Sequence, residues 1–226
     1  IHSSLYFGML VSVGAYMLGV WLKKKTGWAI LNPLLVAIIV VIAFLSVFHI
    51  EYKEYNRGAV YLGYFLTPAT VCLAIPLYKQ LELLRQHLIA VASAIVAGVA
   101  GSVGSIYVMC RFFQLEHTHY VTLLPKSITT AIGMGVSEEA GGIVTLTVIS
   151  IIITGILGNI IADWLFQIFK IEEPIAKGLA LGTAAHAIGT AKALELGEIE
   201  GAMSSLSIAV AGLLTVVVVP LMSGLI

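Results

Sequence analysis

The sequence predicts an all-α polytopic membrane protein with about 7–8 membrane segments, some of them broken or re-entrant, and three observations predict it. Only 12 Lys+Arg and 12 Asp+Glu are spread over 226 residues, or 11% charged, while 59% of the chain is hydrophobic. A soluble domain carries about 25% charged residues. The charges are also clustered, leaving six charge-free stretches of roughly 20 residues or more, the length an α-helix needs to cross a hydrocarbon core of about 30 Å. Finally, Leu34–Phe48 and Leu213–Val219 are nearly unbroken apolar runs, without the alternation of transmembrane β-strands. A formal net charge of zero and two cysteines argue against a nucleic-acid binder, a disordered chain and a disulfide-stapled domain.

The six long stretches are Ser4–Leu22, Thr26–Phe48, Gly58–Tyr78, Leu88–Cys110, Ala140–Ala162 and Gly201–Ile226. The first lacks a basic n-region and a small-x-small cleavage pattern, and Lys23-Lys24-Lys25 follows rather than precedes it, so it is expected to be a retained span and not a signal peptide. The same lysines place the loop after it on the cytoplasmic side. In the third stretch Pro68 and Pro76 each remove a backbone donor, which predicts a kink or interruption near Thr67-Pro68, with the Thr67 and Thr70 hydroxyls as partners for freed carbonyls. Gly98, Gly101 and Gly104 on the fourth stretch, and Gly155 and Gly158 on the fifth, suit close helix packing. Cys72 and Cys110 are expected to pack as small hydrophobes.

Two shorter charge-free stretches, Ser127–Ser137 and Gly178–Ala191, are rich in Gly, Ala, Thr and Ser and too short for an ordinary span. Before the first, Pro125 suits an opening helical turn, and Lys126, Ser127, Thr129 and Thr130 put a cation and three hydroxyls where unpaired N–H groups lie. That combination is either an anion site or an interfacial loop with a snorkelling lysine. In the second, regular helical spacing puts Thr183, His186 and Thr190 on one face, with Lys192 just beyond. His186 is either a proton-linked or orienting group, or a neutral core histidine bonded to a neighbour. Glu138-Glu139 is expected to be solvated and Asp163, beside Trp164, interfacial. His117-Thr118-His119 lacks a third ligand at metal spacing, and no HExxH, GxSxG or CxxC pattern occurs, so neither a metal, a cofactor nor catalysis is expected.

Two pieces about half the chain apart look alike. Leu66-Thr67-Pro68-Ala69-Thr70 parallels Leu181-Gly182-Thr183-Ala184-Ala185, and Val96-Ala97-Gly98 matches Val210-Ala211-Gly212. This points to an internal duplication within a single domain 1–226, with units 1–113 and 114–226, parallel or inverted.

Asn32-Pro33-Leu34-Leu35-Val36-Ala37, Pro68-Ala69-Thr70-Val71 with Ile75-Pro76-Leu77-Tyr78-Lys79, Leu124-Pro125-Lys126-Ser127-Ile128-Thr129-Thr130, the run Gly178 to Lys192, and Glu200-Gly201-Ala202-Met203-Ser204-Ser205 together resemble the LrgB/CidB family over nearly the whole chain. The resemblance implies a multi-pass protein of the bacterial cytoplasmic membrane, acting beside a small LrgA/CidA-type membrane partner and able to form homo-oligomers. Two functions attach to the family: holin- or antiholin-like control of murein hydrolases and autolysis, and transport of small carboxylates, pyruvate in bacteria and glycolate or glycerate in the related plastid translocators. The residues favour transport, because a lytic pore needs little more than apolar helices that assemble. The expected substrate site is formed by Thr67, Pro68 and Thr70, by Lys126, Ser127, Thr129 and Thr130, and by Thr183, His186, Thr190 and Lys192.

Overall fold

The computed structural model describes residues 6–28, 31–72 and 74–226, without the side chains of Leu66, Thr67, Thr70 and Leu77. All the regular structure among the described residues is helical, and the chain divides into two compact units, residues 1–72 and 73–226.

The first unit holds α1 (Phe7–Thr26), α2 (Pro33–Val47), α3 (Tyr52–Gly63) and α4 (Leu66–Cys72). Helix α1 ends at Gly27, whose φ of 71° suits the left-handed cap and whose N–H reaches the Lys23 carbonyl. Asn32 starts α2 by accepting the N–H groups of Leu34 (2.9 Å) and Leu35 (3.4 Å), with Pro33 at the first helical position. At 15 residues, α2 is shorter than the charge-free stretch Thr26–Phe48 that contains it. Ser12 holds α1 to α3 through the Tyr55 hydroxyl (2.7 Å). Gly58–Tyr78 does not form one span. It breaks after Gly63, at Tyr64–Phe65, and Pro68 sits inside the short α4.

The second unit holds α5 (Ala74–Lys79), α6 (Leu81–Gln86), α7 (Leu88–Phe112), α8 (His117–Leu123), α9 (Thr130–Glu139), α10 (Val144–Ile168), α11 (Pro174–Leu196) and α12 (Glu198–Ser223). Helices α7, α10 and α12 are long and apolar enough to cross a membrane. The buried faces of α7 and α12, with Val91, Ile95, Val99, Val103, Met203, Ala211 and Val219, form one core with Tyr120, Val121 and Leu124 of the α8 segment.

Helices α8 and α9 form a re-entrant hairpin. His117 Nδ1–H donates to the Ile226 carbonyl (2.8 Å) and the Tyr120 hydroxyl to that of Met222 (3.0 Å), which fixes the entry of α8 beside the C-terminal end of α12. The chain turns over residues 124–129 and comes back along α10. The Thr147 hydroxyl bridges the Thr122 carbonyl (2.9 Å) and the Ser137 hydroxyl (2.6 Å), and the Ile143 N–H donates to Thr122 Oγ1 (2.8 Å). Both arms therefore open toward the N-terminal end of α10.

Helix α11 is a second hairpin, of the opposite sense. His186 has φ 40° and ψ −133°, which breaks the helix into arms 174–185 and 187–196. Gly182 of the entering arm lies against Ser204 and Ser207 of α12, whereas on the returning arm Thr190 meets Ser204 (2.7 Å) and Leu194 packs on Gly201. The two arms thus run in opposite directions along α12. Their outer ends lie together at the C-terminal end of α10: Lys177 sits over the Phe166 ring (6.0 Å), and Lys192 pairs with Asp163 (2.7 Å). The one-face arrangement of Thr183, His186 and Thr190 expected from regular helical spacing does not survive, because the backbone reverses at His186. Gly155 and Gly158 do accept close neighbours from this hairpin, whereas Gly101 and Gly104 meet no described atom within 4 Å of where a Cβ would stand. Cys110 is buried and Cys72 exposed.

Within this unit Lys79, Arg85, Lys170 and Lys177 gather at the end where α11 opens, and Arg111 lies at the other. The positive-inside rule assigns the first end to the cytoplasm. In a background with Cys72 and Cys110 replaced by serine, a membrane-impermeant thiol reagent is expected to label Glu116→Cys and Glu139→Cys from outside intact cells. Lys170→Cys and Glu198→Cys should label only after permeabilisation. Labelling of positions 116 and 139 from opposite sides would mean that the α8–α9 segment crosses the membrane.

Candidate functional site

The turn between α8 and α9 carries Lys126 and Ser127 to the middle of α7, where Ser102 stands opposite. Lys126 Nζ donates to Ser127 Oγ at 2.9 Å and to Ser102 Oγ at 3.5 Å, and the Ser102 hydroxyl donates to Ser127 Oγ at 2.9 Å. Among the described residues no carboxylate lies within ion-pair distance of Lys126. An ammonium has three protons and a hydroxyl one. Ser127 Oγ accepts twice, so its own proton and the third Lys126 proton have no side-chain acceptor. Ser127 is only 6% exposed. The cluster is a half-buried set of surplus donors around one cation, with Ser127 its buried member.

These three residues line an open groove of about 410 Å³, within the ~300–1,000 Å³ range of small-molecule sites. Its remaining wall comes from Ala94 and Gly98 of α7 and from Ala176, Leu179, Ala180, Thr183 and Ala184 on the entering arm of α11. A Cβ on Gly98 would stand 2.9 Å from Thr183 Oγ1, so the glycine lets α7 approach that arm closely. The Thr183 hydroxyl donates to the Leu179 carbonyl of its own helix at 2.7 Å.

The expected site residues separate in space. Lys126, Ser127 and Thr183 line the cavity together. Thr129 caps α9 and Thr130 begins it, both half-buried and outside the cavity wall. His186 is 3% exposed, with its Nε2–H donating to the Ile151 carbonyl of α10 (2.9 Å). Thr190 donates to the His186 carbonyl (3.1 Å), and Lys192 is held by Asp163. The side chains of Thr67 and Thr70 lie outside the described residues, and Pro68 is an exposed residue of the first unit. Sequence reasoning missed Ser102. Its signal was faint, a single hydroxyl in a span that also carries Ser93 and Ser105, and both of those bond back to their own helix.

The LrgB-like family model matches residues 12–225. The chain is 41% identical over 217 residues to "Antiholin-like protein LrgB" of Bacillus mycoides (strain KBAB4), which covers 96% of this chain and 94% of that one. The protein of the same description from Bacillus subtilis (strain 168) is 39% identical over 216 residues, covering 95% and 94%. That from Bacillus cereus (strain B4264) is 40% identical over 217 residues, covering 96% and 94%. No solved structure matches. Taken with its long apolar helices and paired hairpins, the chain is a bacterial multi-pass membrane protein and belongs to the LrgB-like family.

Proposed function

We propose that this protein carries small monocarboxylates of the pyruvate or glycolate kind across the membrane, working with a small LrgA/CidA-type membrane partner. Through that partnership it is linked to control of murein hydrolases and autolysis. The antiholin-like description of its relatives supports the coarser part of this reading, the link to murein hydrolase control. The carrier reading rests on one observation: Lys126, Ser127 and Ser102 present surplus donors and an unneutralised cation to the groove between α7 and α11.

A carboxylate supplies what that cluster lacks. Its negative charge neutralises Lys126, and its two oxygens accept the free Lys126 N–H and the Ser127 O–H as charge-assisted bonds. A bound monoanion leaves the pair neutral, the form that costs least to hold at membrane depth. The site lies where hairpins from opposite ends of the bundle converge, so each screens it from one side. Access alternates as the hairpin-bearing bundle moves against its surroundings. His186 positions the tip of α11, and Lys192 fixes the returning arm.

Purified protein in liposomes, with and without the small partner, is expected to take up labelled pyruvate or glycolate. Lys126→Met should lower uptake at least about tenfold, because it removes a charge-assisted bond of about 1.5–3 kcal/mol, and Ser127→Ala should lower it severalfold. Failure to accumulate either acid, accompanied by release of an encapsulated dye, would favour a holin-like pore.

His186→Asn, which loses the bond to Ile151, should lower stability by about 1–3 kcal/mol in thermal unfolding while leaving the pH profile of uptake in place. A displaced profile would instead assign the transported proton to this imidazole.

A further inference from the structure

Where α11 opens, its two outer ends and the C-terminal end of α10 frame another open groove, of about 420 Å³. It carries charges of both signs. Lys170, Glu172 and Lys177 line it together with Asp163, whose carboxylate is already taken by Lys192 at 2.7 Å. Among the described residues no carboxylate lies within ion-pair distance of Lys170 or Lys177, and no cation within that distance of Glu172. Glu173 and Glu195 are near in the chain and do not line the groove. Phe166, Ile171 and Leu196 supply its apolar part, with the Lys177 ammonium 6.0 Å from the Phe166 ring. Trp164 and Phe169, 61% and 69% exposed on the same end of α10, stand as aromatic side chains do at a membrane–water boundary.

Two unpaired cations, one unpaired carboxylate and an apolar strip at that boundary match a ligand that carries a phosphate, an ammonium and hydrocarbon chains. We infer that the groove binds the headgroup of a zwitterionic phospholipid, phosphatidylethanolamine. The phosphate lies between Lys170 and Lys177, and the ethanolamine ammonium donates to Glu172, all as charge-assisted bonds. The acyl chains leave past Phe166 and Leu196. An anionic glycerol headgroup would engage the lysines and leave Glu172 without a cation, and a choline headgroup has no N–H to donate. Phe166 belongs to α10, Lys177 to the entering arm of α11 and Leu196 to the returning arm. One bound headgroup therefore bridges all three and stabilises the hairpin by mass action.

Titration of the detergent-solubilised protein with phosphatidylethanolamine, phosphatidylglycerol and phosphatidylcholine, read by native mass spectrometry as the fraction carrying one lipid, tests the inference. Phosphatidylethanolamine should bind about threefold tighter than either of the others. Glu172→Gln should remove that preference without weakening phosphatidylglycerol, and Lys170→Gln combined with Lys177→Gln should weaken both lipids about tenfold. Glycerophosphoethanolamine, which has the headgroup and no acyl chains, should not displace the lipid even in large excess. Displacement by it would overturn the lipid source and assign the groove to a soluble phosphodiester. Phosphatidylglycerol binding as tightly as phosphatidylethanolamine, or a preference that survives Glu172→Gln, would overturn the zwitterionic headgroup. Binding unchanged in the double lysine variant would overturn the site.

Discussion

A backbone that stops being helical inside a bilayer must find protein partners for the N–H and C=O groups it frees, because hydrocarbon supplies none. The second unit breaks its backbone at depth twice, at residues 124–129 and at His186, and much of its architecture answers those breaks. The first turn closes on itself through the Lys126 N–H to the Leu123 carbonyl (3.1 Å) and the Ile128 N–H to that of Pro125 (3.4 Å). The second is pinned by the His186 ring on the Ile151 carbonyl and by Thr190 on the His186 carbonyl. Small residues surround both breaks, since the arms of a hairpin must lie close enough to each other and to α10 and α12 for these bonds to form. No buried side-chain nitrogen or oxygen among the described residues lacks a partner. With the left-handed φ at His186 costing about 1–3 kcal/mol, the reversal persists because the packing around it leaves the chain no cheaper path.

Against that fully partnered background the two lysines of the hairpins differ. Lys192, its side chain 14% exposed, has its carboxylate in Asp163 and is neutralised within the protein. Lys126 has only hydroxyls. A cation left without a counter-ion in the membrane interior costs several kcal/mol, a cost that the carboxylate proposed above would remove. The two lysines share a residue type, and their neighbours set them apart: one ties an arm to Asp163, and the other is the anion-binding group of the proposed carrier.

How much of this could be read from residues alone varied with how local the cause was. The spans α7, α10 and α12 are visible because an absence of charge over 20 or more residues is a direct statement about solvent. The turn at Lys126 is visible because Pro125 and the hydroxyls after it mark a helix start too close to the preceding apolar segment. Ser102 was not visible, since its role depends on Ser127 and Lys126 standing across from it. The reversal at His186 was hidden more deeply. Residues 174–196 have the composition of one continuous helix, and only packing against α10 and α12 turns the chain back. Gly58–Tyr78 was legible in part: its prolines announced an interruption near Thr67-Pro68, and the described break falls just before them, at Tyr64–Phe65.

Both hairpins hang from one helix. The α8–α9 arms are held by Thr147 near the start of α10, and the α11 arms by Ile151, Asp163 and the Asn159 side chain, which donates to the Ile188 carbonyl (3.2 Å). Helix α10 therefore acts as a common mast that sets the depth of both tips. Sliding it by one turn would carry Lys126 and His186 the same ~5.4 Å in the same direction, changing the position of the site in the membrane without changing its width. An inserted or deleted residue in α10 between Thr147 and Ile151 would rotate one hairpin's anchor against the other's by about 100°. Length in that segment is thus constrained far more tightly than its plain apolar composition suggests.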